Sequence, residues 1–515
     1  MTLSFPLDGS VPAKTIFATI VALVILQRVF MSYYGGKKYK LPPRLPGLPI
    51  LGNTFQIPPF QGGQWASEQA KKMGEMFTCK IGVNTWVFLN SSRVVNDLME
   101  KRSAIYSSRT NLPMTDKIMS GGNRILLMPY SDRWRALRKI MHSILNKTKG
   151  TTFQPFQDLE SKHLIYDYLH NPDKWYNANQ RFANSVIMSV VFGKRMDLGD
   201  PRTRELLETS SEILGAMQPG ASIADVLPVL ENLPKPLQWW RPSGERAYQK
   251  CLKVYRREVE ELRGKEKNGT ARECFATEFL RNPETAKWGE EQTLFALGSL
   301  MEAGSDTSRM AISILLSAAA TDKRWVITAR EALDSVCGSN AERLPDVSDK
   351  PRLQYITAAV KEAFRWRPFA EIGVPHMLTQ DDEYDGYKFP AGTLFTWNAL
   401  HIALNEEEYE QAHRFWPERF LNEDLNNVMK GHWSFGPGRR ACSGYNVGES
   451  NVWIALARLL YCFDFNELPG QPIKSLEANW LEHRWAPFPV EIKIRSPAHA
   501  ALVEREGKPA SETKY

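Results

Sequence analysis

From Thr15 to Tyr34 the chain reads TIFATIVALVILQRVFMSYY, an apolar run interrupted by Gln27 and Arg28 near one end. Its length matches the hydrocarbon core of a bilayer, and an arginine at that depth reaches the interface by snorkelling. No small-residue cleavage site follows, so the run reads as a retained anchor rather than a removed signal peptide. Lys37, Lys38, Lys40 and Arg44 follow it, against a lone Lys14 before it, which predicts that the bulk of the chain stays on the cytosolic side. Next comes the proline-rich stretch LPPRLPGLPILGN, Leu41 to Asn53, a semi-rigid connector rather than a helix or strand. The expected organisation is a luminal stub and anchor over 1–34, a connector over 35–53, a large cytosolic domain over 54–498 and a polar tail over 499–515.

Beyond the connector the apolar spacing is mostly helical. The stretch RFANSVIMSVVFG and the long run from Glu291 to Ala320 carry it, as do Val452, Ala455, Leu456, Leu459, Leu460 and Phe463, which fall on one helix face. Two segments break the rule. Phe77 to Asn90, FTCKIGVNTWVFLN, is β-branched and aromatic around a turn-like Gly82, and Tyr384 to Asn398 reads similarly as paired strands. The fold class expected is mainly α with a minor β part.

Composition narrows the function more than the fold. With 515 residues and 43% hydrophobic content the chain buries a large core. Its net charge of +7 is spread among mixed signs rather than gathered into a stripe, which sets nucleic acid aside as a partner. The six cysteines form no C-x-x-C pair, as suits a reducing compartment. The nine histidines show no H-x-x-x-H or H-E-x-x-H spacing.

One cysteine stands apart. Cys442 lies in FGPGRRACSG, where a glycine-rich turn feeds the start of the buried helix carrying Val452. Such a place offers unpaired backbone N–H groups and the positive end of a helix dipole, both favouring thiolate. Gly436 and Gly438 permit a tight loop, Gly444 lets a bulky planar group lie close, and Arg440 is placed to pair with a carboxylate of that group. The competing reading is a structural cysteine after a glycine turn. Phe435, Gly438, Arg440, Cys442 and Gly444 together stand as F-x-x-G-x-R-x-C-x-G, which resembles the haem-binding loop of the cytochrome P450 superfamily. That resemblance implies haem b with Cys442 as the thiolate axial ligand, an arrangement that favours O–O cleavage. It also implies the family fold, with haem between a long central helix and the cysteine-loop helix.

Three further stretches match the family in order. AGSDTS, Ala303 to Ser308, sits inside the long central run, which would extend about 45 Å as a helix. It resembles the oxygen-activation motif: Ala303 and Gly304 remove bulk where a distal ligand approaches, and Asp306 and Thr307 relay protons where the helix is locally opened. The plainer alternative is helix packing at Ala303-Gly304 with Thr307 bonded back to a carbonyl. Glu362 and Arg365 in KEAFRWRPF, with Arg419 in FWPERF, resemble the family's structural Glu-Arg-Arg cluster. Trp134 and Arg138 resemble a pair that contacts a haem propionate, and His376 in GVPHML matches another propionate-contacting position.

The resemblance runs from the anchor to about Ile494. It implies a haem-thiolate monooxygenase supplied by NADPH–cytochrome P450 reductase, with cytochrome b5 as a further donor, in the endoplasmic reticulum membrane with its catalytic domain facing the cytosol. PGASIADVLPVLENLP and RFANSVIMSVVFGKRM resemble filamentous-fungal members acting in secondary metabolism, of the O-methylsterigmatocystin oxidoreductase type. Rearrangement, ring expansion, desaturation or coupling on the same haem is the alternative, and a non-catalytic haem-binding membrane protein a third. Walls expected for a hydrophobic substrate are Thr110 to Pro129, Gly215 to Val229, Leu300 to Ala303 and Phe369 to Val374, with Glu371 among them. Arg133, Arg135, Lys139 and Arg439 are candidates for a basic face toward an acidic flavoprotein.

Overall fold

A computed structural model describes residues 38–58, 61–146, 153–197 and 199–514. Its longer helices, in chain order, are α1 (Gly62–Met73), α2 (Asp132–Asn146), α3 (Gln154–His170), α4 (Trp175–Phe192), α5 (Pro201–Ala216) and α6 (Arg241–Lys267). They continue with α7 (Glu290–Thr321), α8 (Lys323–Cys337), α9 (Gln354–Trp366), α10 (Tyr445–Cys462) and α11 (Pro497–Glu512). Eight short strands complete the pattern: β1 (Met76–Ile81), β2 (Asn84–Leu89), β3 (His376–Met377), β4 (Asp382–Tyr384), β5 (Tyr387–Phe389), β6 (Leu394–Trp397), β7 (Phe463–Asn466) and β8 (Glu491–Ile494). The mainly α, minor β expectation holds.

The apolar run read between Glu291 and Ala320 is α7, which spans 32 residues without a break. It is buried along most of its length and packs against α4, α6 and α10. Hydrogen bonds pin it to the cysteine-loop helix: Asn451 Nδ2 of α10 donates to Ser308 Oγ of α7 at 3.3 Å, and Gln157 Nε2 of α3 donates to Asn451 Oδ1 at 2.7 Å. Trp453, buried in α10, donates its indole N–H to Thr357 Oγ1 of α9 at 3.1 Å. A buried indole left unpartnered would cost free energy, so this bond fixes the register of α9 on α10.

β1 and β2 form the hairpin read around Gly82. Tyr384 to Asn398 divides instead. β4 and β5 pair locally, while β6 crosses into the other sheet and lies parallel to β2, in the order β1-β2-β6-β3. The connector forms no helix or strand but docks on β1, with Leu45 N donating to Thr78 O at 2.9 Å and Asn53 N to Lys80 O at 2.5 Å.

The polar tail expected over 499–515 is largely a helix. In α11, Pro497 starts the first turn and Ser496 accepts from His499 N, and α11 lies on α3 with His499, Leu502 and Val503 buried. The sequence misleads here because only a narrow apolar stripe is needed to dock a surface helix. Among the described residues no helix is long and apolar enough to cross a membrane, and the anchor read within 1–34 lies outside them.

Candidate active site

Cys442 sits two residues before the N-cap of α10, in a loop whose shape follows from its glycines. Gly438 has φ +64°, and a Cβ there would collide with the Met99 carbonyl. Its N–H donates to Glu100 Oε1 at 2.7 Å, and Cys442 N donates to Phe435 O at 2.8 Å, closing the turn. A Cβ at Gly444 would lie 4.0 Å from the Cys442 sulfur, so glycine keeps that flank of the thiol clear. Phe435 packs edge-on against Phe364 of α9 at 5.0 Å between centroids. Of the six cysteines Cys442 alone is exposed. Protein nevertheless surrounds it closely, and that burial pushes its thiol up, against the Gly444 N–H and the Arg138 charge. The helix terminus alone therefore does not make a thiolate, whereas a coordinated metal ion deprotonates a thiol outright.

Around this loop the chain gathers three arginines. Arg138 of α2 donates to the Ala441 carbonyl. Arg440 donates to Ser107 O at 2.8 Å and Met128 O at 2.7 Å, and its guanidinium stacks 4.1 Å from the ring centroid of buried Trp134. Arg109 donates to Leu126 O at 2.9 Å and Val374 O at 3.0 Å. His376 Nδ1 lies 2.9 Å from Tyr106 O, and burial with Arg109 and Arg440 nearby holds its pKa well below the usual imidazole range. None of the three arginines makes an ion pair with a described carboxylate. Burial pulls Arg109 down to about 9, and burial with the neighbouring arginines pulls Arg440 down to about 8. Buried charge of one sign and no partner is costly unless a ligand of opposite sign supplies the partner. Arg109 was missed in the sequence because its one signal, a lone arginine in SSRTNLP, resembles any surface arginine.

The AGSDTS residues leave α7 in different directions. Ala303 is exposed and Thr307 half-exposed in the middle of an otherwise buried helix, and Thr307 Oγ1 donates back to Ala303 O at 3.1 Å. Gly304 does not open a path for a ligand: a Cβ there would run into Ile187, so its smallness serves the packing of α4 on α7. Asp306 is buried and paired with Arg309, whose Nε donates to its Oδ1 at 3.0 Å, and Arg309 also donates to Tyr176 Oη and to Glu482 O. Burial pushes the Asp306 carboxyl up to about 6, and the adjoining Arg309 charge opposes that rise. The locally opened helix expected here is not present, since α7 keeps its helical course through residues 303–308.

Glu362, Arg365 and Arg419 meet as read. Arg365 donates from Nε and Nη2 to the two Glu362 oxygens, both at 2.7 Å, and from Nη1 to Ala412 O at 2.9 Å. Arg419 Nε reaches Glu362 Oε1 at 3.3 Å, and Trp416 N donates to the same oxygen at 2.8 Å. A forked guanidinium fits this carboxylate and the carbonyls at once, which a lysine ammonium cannot do.

Two readings of the pocket walls change. Glu371 turns away to accept from Gly63 N at 2.9 Å, where it caps the first turn of α1. Arg124, within the expected wall 110–129, is paired with Glu302 of α7, a contact that sequence spacing does not reveal across 178 positions.

The cytochrome P450 family profile matches residues 42–493. The chain is 32% identical over 96% of its length to cytochrome P450 monooxygenase verL of Clonostachys rogersoniana, covering 94% of that protein. It is 31% identical over 87% of its length to cytochrome P450 monooxygenase fogE of Aspergillus ruber and over 92% to virE of Hypocrea virens, covering 84% and 89% of those proteins.

Proposed function

This chain belongs to the cytochrome P450 family, whose members hold haem through a cysteine thiolate, and on that footing we propose that it oxidises a neutral hydrophobic small molecule of fungal secondary metabolism. The observation that carries the site assignment is one exposed cysteine beside three largely covered arginines, none of which is ion-paired to a described carboxylate. Haem fits there: Cys442 would ligate the iron, and Arg109, Arg138, Arg440 and Trp134 would receive two propionates, whereas neutral His376, its one proton given to Tyr106 O, would offer them no donor. Bound there, the group supplies dioxygen activation and transfer of one oxygen atom to substrate.

The remaining chemistry belongs to the protein. Ala303 leaves the middle of α7 without bulk on its exposed side, and the Thr307 hydroxyl beside it orders water for proton delivery. The Glu362-Arg365-Arg419 cluster keeps α9 and the loop after Trp416 in place beneath Phe435. Electrons come from an NADPH-dependent reductase, and the segment Thr15 to Tyr34 tethers the protein to the endoplasmic reticulum with this domain in the cytosol. The test is the full-length protein in microsomes with reductase, supplied with extracts of a strain lacking the gene. Substrate-dependent NADPH consumption and an accumulated precursor gaining one oxygen are expected. Precursor conversion without NADPH would overturn the monooxygenase reading.

A further inference from the structure

Away from the arginines around the cysteine loop, α7 carries a largely covered carboxylate tied to two other elements. Glu302 stands one residue before Ala303 on α7. Its carboxylate accepts from Arg124 through Oε2 and from the Tyr255 hydroxyl of α6 through Oε1. Arg124 Nη2 also reaches Tyr255 Oη at 3.3 Å, and its Nε reaches Ser120 Oγ at 3.2 Å. The local sequence is built to hold this arrangement. A Cβ at Gly298, one turn before Glu302, would lie 2.6 Å from three atoms of the Tyr255 ring, so glycine there lets the ring lie flat on α7 with its hydroxyl at the carboxylate. Glycine in a helix interior is less favourable than alanine, which a generic helix contact does not require.

The pair is unevenly covered. The Arg124 side chain is 3% exposed and that of Glu302 11%, so Glu302 is the less covered partner, and its neighbour on α7, Ala303, is exposed. Two donors occupy Glu302, and a carboxylate has about four acceptor positions. A further partner of this carboxylate is therefore a donor and not an acceptor. Because Arg124 already balances its charge, a charged ligand would leave a net buried charge, whereas a neutral O–H or N–H would not.

We propose that Glu302, held by Arg124 and Tyr255, is the specificity-determining anchor of the substrate space and accepts a hydrogen bond from an O–H or N–H of a neutral, largely apolar substrate. This rests on the monooxygenase reading and assigns it a substrate class. The probes are 2-naphthol and 2-methylnaphthalene, nearly equal in shape and differing in the donor, titrated calorimetrically into the haem-loaded full chain. Hydrogen bonds to charged groups are the stronger kind, so wild type should bind the naphthol at least about tenfold more tightly. Glu302→Gln should shrink that ratio. The combined variant Arg124→Met, Tyr255→Phe, Glu302→Leu removes the carboxylate and both its donors together, while Ser120 keeps its bond to Thr115 O, and should bring the ratio to about one. A wild type without preference, or a ratio unchanged in Glu302→Gln or in the combined variant, would overturn the anchor. A wild type that lacks the thiolate carbon monoxide band while keeping the ratio would instead sink the haem reading alone.

Discussion

Thr307 and Asp306 are neighbours in sequence and do different things. The Thr307 hydroxyl spends its proton on Ala303 O and keeps its lone pairs on the half-exposed side of α7, placed to hold a water. Asp306 points into the core and is occupied by Arg309. Thr307→Ala should therefore leave haem binding and the thiolate spectrum unchanged while product per NADPH falls roughly tenfold or more and hydrogen peroxide rises. Parallel assays of NADPH, peroxide and product in the reconstituted enzyme check this. Unchanged coupling would shift the reading toward rearrangement or coupling chemistry. At this scale the sequence exposed Cys442 and the Glu362–Arg365 pair, because fixed spacing within a loop or helix turn constrains geometry directly, while Arg419, 57 positions from Glu362, was placed by the family resemblance alone. It did not expose Arg109 or the Arg124–Glu302 pair, whose meaning depends on which charges lie near them after folding. Gly304 shows the reverse: the residue type was right for close approach, but the approaching group is Ile187.

Among elements, the segments expected to wall the substrate space are clasped by carboxylates. Asp225 accepts from Met114 N at 2.8 Å, Thr115 N at 3.2 Å and Thr115 Oγ1, and Glu231 accepts from Asn111 at 2.9 Å and Lys117 at 2.7 Å. Asp116, buried beside them, has one carboxyl oxygen without a hydrogen bond. Burial, with Asp225 adding to it, pushes its pKa up to about 6 from 3.8. A raised carboxyl pKa contributes stability that is complete below the unfolded value and is lost as pH rises through the folded one. Asp116→Asn should thus stabilise the fold relative to wild type by an amount that grows from pH 5 to pH 7.5, reaching on the order of 2–3 kcal/mol and seen as a widening Tm difference. Equal Tm differences across that range in thermal unfolding would contradict it. Helices and the first hairpin were legible because periodicity is local. The pairing of β6 with β2 was not, since a parallel partner some 300 residues away leaves no trace in alternation.

For the molecule as a whole, Arg135, Lys139 and Arg439 are exposed, and Arg135 and Arg439 flank the Tyr130 ring at 5.9 and 5.4 Å, beside the helix that carries Arg138. Reversing Arg135 and Lys139 to glutamate should slow reduction by the flavoprotein at low salt and converge with wild type at high salt, where surface charges are screened. Stopped-flow reduction at two ionic strengths reads this, and equal rates at low salt would remove the face from electron transfer. The overall architecture was legible as α with minor β, but the docking of α11 was not, because a helix can be mostly polar and still be held by a few buried residues. All of this turns on what the cysteine loop holds. The most direct measurement is the carbon monoxide difference spectrum of reduced, haem-loaded protein, wild type beside Cys442→Ser. A red-shifted Soret band in wild type, absent from a serine variant that retains haem, is the expected result. The same band in both proteins would place the iron on another ligand and contradict the account.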